Sequence, residues 1–429
     1  MTETTTPASR RLLAGIPTPP RPVSWEGHLA QHGPLPALTR RRGGDTGLIE
    51  MTEAAGLVGH GGAGFPTGRK MRTVAAGRGR AIVVANGMEG EPAAAKDAML
   101  LGATPHLVLD GIELAASAVG ADRAHLVVHR GSPAAASVQT ALAERPTQRR
   151  LEISVDEPPD HYVASEESAL VHWLNGGDAK PLYVPPRPFE RGIAGRPTLI
   201  NNVETLAHLA LLARHGADWF RSVGTETEPG TLLVSVSGAV THPGIAEVAF
   251  GTTVGELLRI SGGPTQPLAG LIVGGYFGTW IDPETASSLP LTHAALRAEG
   301  GGLGAGIVIA VPTTACPVAE TAHVMAYLAA QSAGQCGPCV KGLPAIAGVL
   351  IDLTHGRWDQ QRDDALTRWL PLVAGRGACR HPDGAVRFAA SLLRVFAAHV
   401  TVHKQGAVCS AAAAAPTLPV GPALSPTWR

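Results

Sequence analysis

Residues 59–70, Gly59-His60-Gly61-Gly62-Ala63-Gly64-Phe65-Pro66-Thr67-Gly68-Arg69-Lys70, place a glycine-dense loop before a helical pattern at Arg69–Ala76. An apolar strand, Ala81–Ala85 (AIVVA), follows and runs into Asn86-Gly87-Met88-Glu89-Gly90-Glu91-Pro92. Glycines expose consecutive backbone N–H groups and a helix start adds partial positive charge, so such a loop suits a phosphate. Lys70 adds a point charge. The spacing matches neither the P-loop nor the dinucleotide fingerprint, and alone the loop reads equally as a tight turn needing glycine for positive φ. The strand's end tips the reading, because polar groups just past a parallel strand stand where α/β folds bind ligands. Glu89 and Glu91 on that loop also read as ordinary solvated carboxylates.

The alternation continues outward. Thr52–Val58 reads as a short helix, Pro105–Val119 as an amphipathic helix, His125–His129 as a strand, Ala134–Ala143 as a helix, Leu151–Val155 as a strand and Glu166–Leu174 as a helix. Strands separated by helices imply parallel pairing with right-handed crossovers, so residues 46–228 are expected to form an α/β domain. Tyr162 precedes Ser165-Glu166-Glu167, and acids at a helix start suit the first turn of any helix. Asn201-Asn202 reads as the N-cap of a helix over Glu204–Leu212.

The rhythm changes after Pro229. Thr231–Ser237, Ile245–Val248, Leu271–Val273 and Gly306–Val311 read as strands around one helix, Thr253–Ser261, giving a small mixed β domain over residues 229–312. Helical patterns at Ala319–Gln331, Pro344–Leu353, Asp363–Leu372 and Gly384–His399 make residues 313–405 a helical domain. Residues 1–45, with Thr18-Pro19-Pro20-Arg21-Pro22, are expected to be an arm without a core of its own. Residues 406–429, an alanine run before proline-rich sequence, are expected to fray.

Composition narrows the function. Lys plus Arg and Asp plus Glu are equal at 35 each, so no net field draws nucleic acid or an acidic membrane. Aromatics at 4% leave few platforms for stacking bases. Met1–Arg10 has no apolar run of the secretory kind, and Gly300–Ala319 is broken by glycines and prolines. The expectation is a cytoplasmic chain, not itself transmembrane, that reaches a membrane only through a partner.

All five cysteines, Cys316, Cys336, Cys339, Cys379 and Cys409, fall in the last third. An odd count in such a chain points to metal or redox chemistry over a disulfide framework. Cys336-x2-Cys339 alone reads as a redox pair, half a zinc site or part of a cluster, with Cys379 a third thiol from a later segment that could close a site on one soft metal centre. Cys316, in an apolar segment, reads as a buried structural thiol.

The motifs occur in a telling order: Gly61–Gly68, Asn86–Glu91 with Lys96-Asp97, Glu166–Leu170, and Gly195-Arg196-Pro197 through Asn201-Asn202-Val203-Glu204-Thr205-Leu206. Over roughly residues 46–405 the chain resembles the flavoprotein subunit of complex I, the F subunit of NADH-quinone oxidoreductase, whose architecture also serves NAD-linked hydrogenases and formate dehydrogenases. The resemblance implies an α/β flavin domain, a small β-grasp-like (SLBB-type) domain and a C-terminal helical bundle. It implies that Gly59, Gly61, Gly62, Gly64, Phe65, Lys70, Asn86, Glu89, Glu166, Glu167, Asn201, Asn202 and Thr205 surround FMN. It implies that Cys336, Cys339 and Cys379 hold a 4Fe-4S cluster, and that NADH is the donor.

Four departures stand against the pattern. Ala333 replaces a cluster cysteine, leaving Cys409 (preferred), His381, a partner's residue or a small molecule as the fourth ligand, or a three-cysteine cluster with an open iron. Met88 replaces an acid, and Ser165 a glycine. Val184 and Arg187 stand where the family has a basic residue and a Phe that help hold NADH, and Thr73 where it has an aromatic. Flavin binding is therefore better supported than NADH binding. The rival readings are an NADH-independent relay between a ferredoxin and another redox protein, and a scaffold that transfers no electrons.

Overall fold

The computed structural model describes residues 10–17, 20–36, 46–146, 151–421 and 427–429. The expected arm at residues 1–9, 18–19 and 37–45, and the part of the expected tail at 422–426, lie outside them.

Four strands, β1 (Ile82–Asn86), β2 (Arg123–Val127), β3 (Glu152–Asp156) and β4 (Thr198–Asn202), form a parallel sheet in the order β3-β2-β1-β4. The strand β1 is buried on both faces. Ile82 and Val84 join Val127, Leu170 and Ile200 on one side, while Val83 and Ala85 join the main core on the other, which is the strand period of two at work. The chain moves out through β2 and β3 and returns to β4 on the far side of β1. That reversal opens a crevice at the C-terminal ends of β1 and β4, where Asn86 and Asn202 stand in register.

The helix Pro105–Val119 is wholly buried beneath the sheet and packs on Val203–Arg221. Gly111 permits this contact, since a Cβ there would lie 2.0 Å from the Leu206 carbonyl oxygen. The strand β4 was not legible in advance, and neither was the helix Lys96–Ala103.

A second, mixed sheet contains β5 (Thr231–Gly238), β6 (Gly244–Ala249), β7 (Leu268–Val273), β8 (Thr279–Ile281) and β9 (Ile307–Pro312) in the order β6-β5-β9-β7-β8. Helices Pro317–Ala330, Leu343–Thr354, Gln360–Val373, His381–Val395 and Ala397–Lys404 pack into the C-terminal body. The last two were expected as one helix. They meet at 87°, with the Phe396 ring at the break packed edge-on against Trp280. Among the described residues no single helix is long and apolar enough to cross a membrane.

Both ends of the described chain are fastened, against expectation. Glu247 accepts hydrogen bonds from the amides of Arg11, Leu12 and Leu13 at 2.8, 3.0 and 2.9 Å. Leu12 is buried, and the helix Trp25–His32 places His28 2.8 Å from the buried Asp110. At the other end, Glu320 accepts from the amides of Thr417 and Leu418 and from the Thr417 hydroxyl. The Trp428 ring stacks on His161 at 3.7 Å. Buried carboxylates supply partners that composition alone does not reveal.

Candidate functional site

The glycine loop is closed at its base, where the Gly59 amide donates to the Phe65 carbonyl at 2.9 Å. Gly62 and Gly64 have φ of 113° and 61°, and a Cβ on Gly64 would lie 2.4 Å from the His293 ring. Side chains are thus excluded from the loop's inner turn, whereas Gly61 and Phe65 are exposed. Thr205 does not face outward: it is fully buried, and its hydroxyl accepts from the His60 amide at 2.9 Å, steadying the loop from beneath.

Lys70, on the helix after the loop, donates to Glu167 at 2.7 Å and to the Ile200 carbonyl at 2.8 Å. Asn86 donates to the Ser165 carbonyl at 2.9 Å and accepts from the Met88 amide at 3.1 Å. Asn202 caps the helix Val203–Arg221, as expected, and also donates to Asp97. Glu166 caps the helix Glu167–Leu174 by accepting from the amides of Ser168 and Ala169, and it also accepts from the Ser168 hydroxyl. Ser165 turns its hydroxyl back onto the Tyr162 carbonyl at 3.3 Å, so its side chain is spent on its own turn.

Beneath this rim lies a buried ionic cluster. Lys96 sits 2.6 Å from Asp97 and 2.8 Å from Glu204, all nearly inaccessible. Burial works against the Lys96 ammonium, but the charges of Asp97, Glu204 and Glu89 outweigh it and raise its pKa. Burial, then the charge of Asp97, pushes the Glu89 carboxyl up to about 7. Glu89 accepts from the amides of Asp97 and Ala98, both at 3.1 Å, at the start of Lys96–Ala103.

Glu91 was not singled out from Glu89 in the sequence, yet it ties the elements together. The Tyr162 hydroxyl donates to it at 2.6 Å and the Tyr276 amide at 2.9 Å, while its second oxygen is buried without a partner. Burial raises its pKa to about 7. The Tyr162 ring in turn meets the His381 ring edge-on, with centroids 5.4 Å apart.

His381 lines a small pocket together with Val163, Ala333, Cys336, Cys339 and Cys379. The expected three cysteines therefore converge, and Cys339 sits on a wide turn, Pro338–Gly342. Burial foremost raises Cys339 to about 12 and Cys379 to about 11, so without a metal these are protonated thiols. Soft thiolates on a buried wall suit iron–sulfur chemistry, with proton release on loading. Val163 belongs to the short turn Tyr162–Ser165, whose other end carries the carbonyl that Asn86 holds. One turn therefore forms the wall between crevice and cysteine pocket.

Cys409 does not join this pocket. It groups with Cys316, His399 and His403, because the bend at Phe396 turns the final helix away. The buried Cys316 is pushed up to about 12 by burial, with the Cys409 thiol beside it. The signal available in the sequence was His399-Val400-Thr401-Val402-His403, two histidines on one helical face, six residues before Cys409.

The glycine cradle and the buried, unpartnered Asn201 amide nitrogen suit a phosphate-bearing ligand such as FMN. The three converging thiols suit an iron–sulfur cluster. Fold and site together define a flavin and iron–sulfur electron-transfer oxidoreductase. Family models agree: Nuo51 FMN-binding domain matches residues 52–211, SLBB domain residues 233–273, and NADH-ubiquinone oxidoreductase-F iron-sulfur binding region residues 319–403. The chain is 32% identical over 397 residues to the F subunit of NADH-quinone oxidoreductase from Streptomyces coelicolor, spanning 89% of this chain and 86% of that one. The Escherichia coli K12 F subunit is 31% identical over 369 residues, with 81% and 82% covered. A chain of an NAD+-reducing [NiFe]-hydrogenase in the H2-reduced state superposes with a TM-score of 0.76 at 30% identity, covering 85% of this chain but 63% of its own length. The protein belongs to the family of NADH-quinone oxidoreductase F subunits and is an NADH dehydrogenase-like oxidoreductase that uses FMN and an iron–sulfur centre.

Proposed function

We propose that FMN occupies the crevice at the ends of β1 and β4, that NADH is the electron donor, and that electrons leave through a cluster held by Cys336, Cys339 and Cys379. The observation that carries this reading is the single turn Tyr162–Ser165, which separates the crevice from the thiol pocket. FMN bound there supplies the exchange between electron pairs and single electrons. The chain supplies the rest. Loop amides at Gly61, Gly62 and Gly64 receive the phosphate with Lys70 nearby, while Gly59 closes the loop's base on the Phe65 carbonyl; Asn86, Glu89, Asn201 and Asn202 set the polar rim, and Glu166 with Glu167 closes the crevice. Phe65 and Tyr183, 43% and 77% exposed, leave aromatic faces free at the surface for a dinucleotide. Domain by domain, residues 46–228 carry the flavin, residues 229–312 form a β-grasp-like connector, and residues 313–405 carry the cluster.

His381 is the fourth cluster donor in this reading. Its Nε2–H donates to the Leu328 carbonyl at 2.8 Å, which leaves Nδ1 as the lone-pair nitrogen, and Nδ1 is buried without a partner. Burial lowers its pKa to about 4, so the ring is neutral at ordinary pH.

The acceptor in this reading is a one-electron redox protein, a ferredoxin or another electron-transfer subunit. Rapid mixing with NADH under anaerobic conditions tests the donor: flavin bleaching at micromolar NADH is expected. A flavin that stays oxidised with NADH but is reduced by a ferredoxin would replace it with the second reading. That reading is favoured by Thr73, whose hydroxyl only bonds the Arg69 carbonyl at 2.9 Å and offers no ring.

A further inference from the structure

Cys316, His399, His403 and Cys409 come from three separate places in the chain. Cys316 follows β9 and caps the helix Pro317–Ala330, the two histidines lie one turn apart on Ala397–Lys404, and Cys409 leads into the turn Ser410–Ala413. Their ligand atoms all lie within 4.8 Å of one another. We propose that these four side chains form a second metal centre, a closed tetrahedral site for one zinc ion, separate from the iron–sulfur cluster.

The geometry fits one ion closely. Metal bonds of about 2.3 Å to sulfur and about 2.0–2.1 Å to nitrogen at tetrahedral angles set an S···N edge of about 3.6 Å. The Cys316 sulfur lies 3.5 Å from His399 Nε2 and 3.6 Å from His403 Nε2. A cubane cluster would bind its ligands to separate irons and spread them wider, so four atoms this close enclose a point. Two thiolates and two imidazoles in tetrahedral array are a zinc donor set.

The histidine chemistry agrees. His403 Nδ1 stands 3.1 Å from the Leu353 carbonyl, which only accepts, so Nδ1 carries the proton and Nε2 presents its lone pair to the sulfur side. A carbonyl holding the distal nitrogen is the usual support of a metal-bound imidazole. Both cysteines are free thiols. Four protein ligands leave no open position, which marks a structural rather than a catalytic ion.

An ion here would anchor the chain beyond Cys409. The backbone passes directly to Thr417 and Leu418, which Glu320 holds one turn along the same helix that Cys316 caps. It then reaches the Tyr276 hydroxyl through the Pro419 carbonyl, and at Trp428 lies against His161, the residue before the Tyr162–Ser165 wall. Zinc and Glu320 thus clamp residues 409–418, a C-terminal strap, along the helix that Cys316 caps, and Trp428 rests against the residue before the wall.

Metal analysis of the full, purified chain tests the proposal, and zinc is counted independently of flavin and iron. One zinc per chain is expected in the wild type. Cys409→Ser and His399→Ala should each lower zinc at least tenfold while flavin and iron stay, and limited proteolysis should then release the C-terminal segment faster. Cys336→Ser should lose iron and keep zinc. Should the zinc-site variants not fold, cobalt exchange into the wild type gives a second reading: ligand-field and thiolate charge-transfer bands of a tetrahedral S2N2 site are expected. A wild type with no metal beyond its cluster iron, a Cys316–Cys409 disulfide, or zinc unchanged in both variants would overturn the site. Loss of one iron in place of zinc in Cys409→Ser would overturn the assignment to zinc.

Discussion

The C-terminal helices carry two groups of cysteines, and the groups differ in how their donors are spaced. Cys336, Cys339 and Cys379 line the walls of a pocket whose remaining surface includes Ala333 and His381. Cys316 and Cys409 instead converge with two imidazoles on a single point. Thiols around a space suit a polynuclear cluster, and donors around a point suit one ion. The first group meets Tyr162 and Val163, the turn beyond which the proposed flavin crevice lies. The second lies beyond the bend at Phe396, beside the segment that Glu320 holds.

The largest expected effect breaks the first group alone. Cys339→Ala removes a buried ligand and should abolish the cluster: iron analysis and EPR should show loss of essentially all cluster signal, with FMN retained and zinc unaffected. A cluster that survives would mean that the pocket is not its home.

His381→Ala sharpens the same comparison with a smaller effect. If the imidazole is the fourth donor, cluster loss to a chelator should accelerate on the order of tenfold or more, since even outer-shell partners act on that scale. The double variant with Ala333→Cys, which supplies a thiolate instead, should restore retention and alter the EPR signal. Identical chelation rates in wild type and His381→Ala would remove the histidine from the ligand set.

Much of this was legible in the sequence, and the failures have physical causes. The glycine loop before a helix, the apolar run of β1 and the Cys336-x2-Cys339 pair are local patterns whose chemistry follows from adjacent residues. Thr198–Asn202 was not read as a strand because its pairing with β1 is decided by residues more than a hundred positions away. The tail looked frayed because alanine and proline carry no partner of their own; the partner is Glu320, buried in a distant helix. Cys409 was expected near Cys379 because it follows a helix that starts near Cys379, although a straight helix over Gly384–His399 carries the chain about 24 Å away and demands a return. The break at Phe396, set by packing on Trp280, sends it elsewhere.

The strap offers a third test, now on the second group's neighbour. Glu320 is 2% exposed and its carboxylate accepts three hydrogen bonds from Thr417 and Leu418. Glu320→Ala should cost about 3 kcal/mol locally, on the scale of charge-assisted hydrogen bonds lost with a buried partner left unpaired. Hydrogen exchange at residues 417–421 should rise accordingly while the flavin-side helices keep their protection. Unchanged exchange would mean that the metal site holds the strap without help.

The smallest effect concerns the wall itself. Burial raises the Glu91 carboxyl from 4.5 to about 7, so between those values the folded chain keeps a proton that the unfolded chain has released. Stability from this group is therefore fully present below about 4.5 and is lost as pH rises through about 7. Between pH 5 and 8 the loss amounts to about 2 kcal/mol. Glu91→Gln keeps an acceptor for the Tyr162 hydroxyl and the Tyr276 amide but carries no charge, so its denaturation midpoint should fall less over that range than the wild type's. Glu89, also held near 7, retains its own share, so the slope should shrink without vanishing. Equal slopes in wild type and variant would place the ionising group elsewhere. A reduced slope would show that the carboxyl joining the β1 loop to Tyr162 is uncharged in the folded protein below neutral pH, and that ionising it loosens the wall beside the cluster pocket.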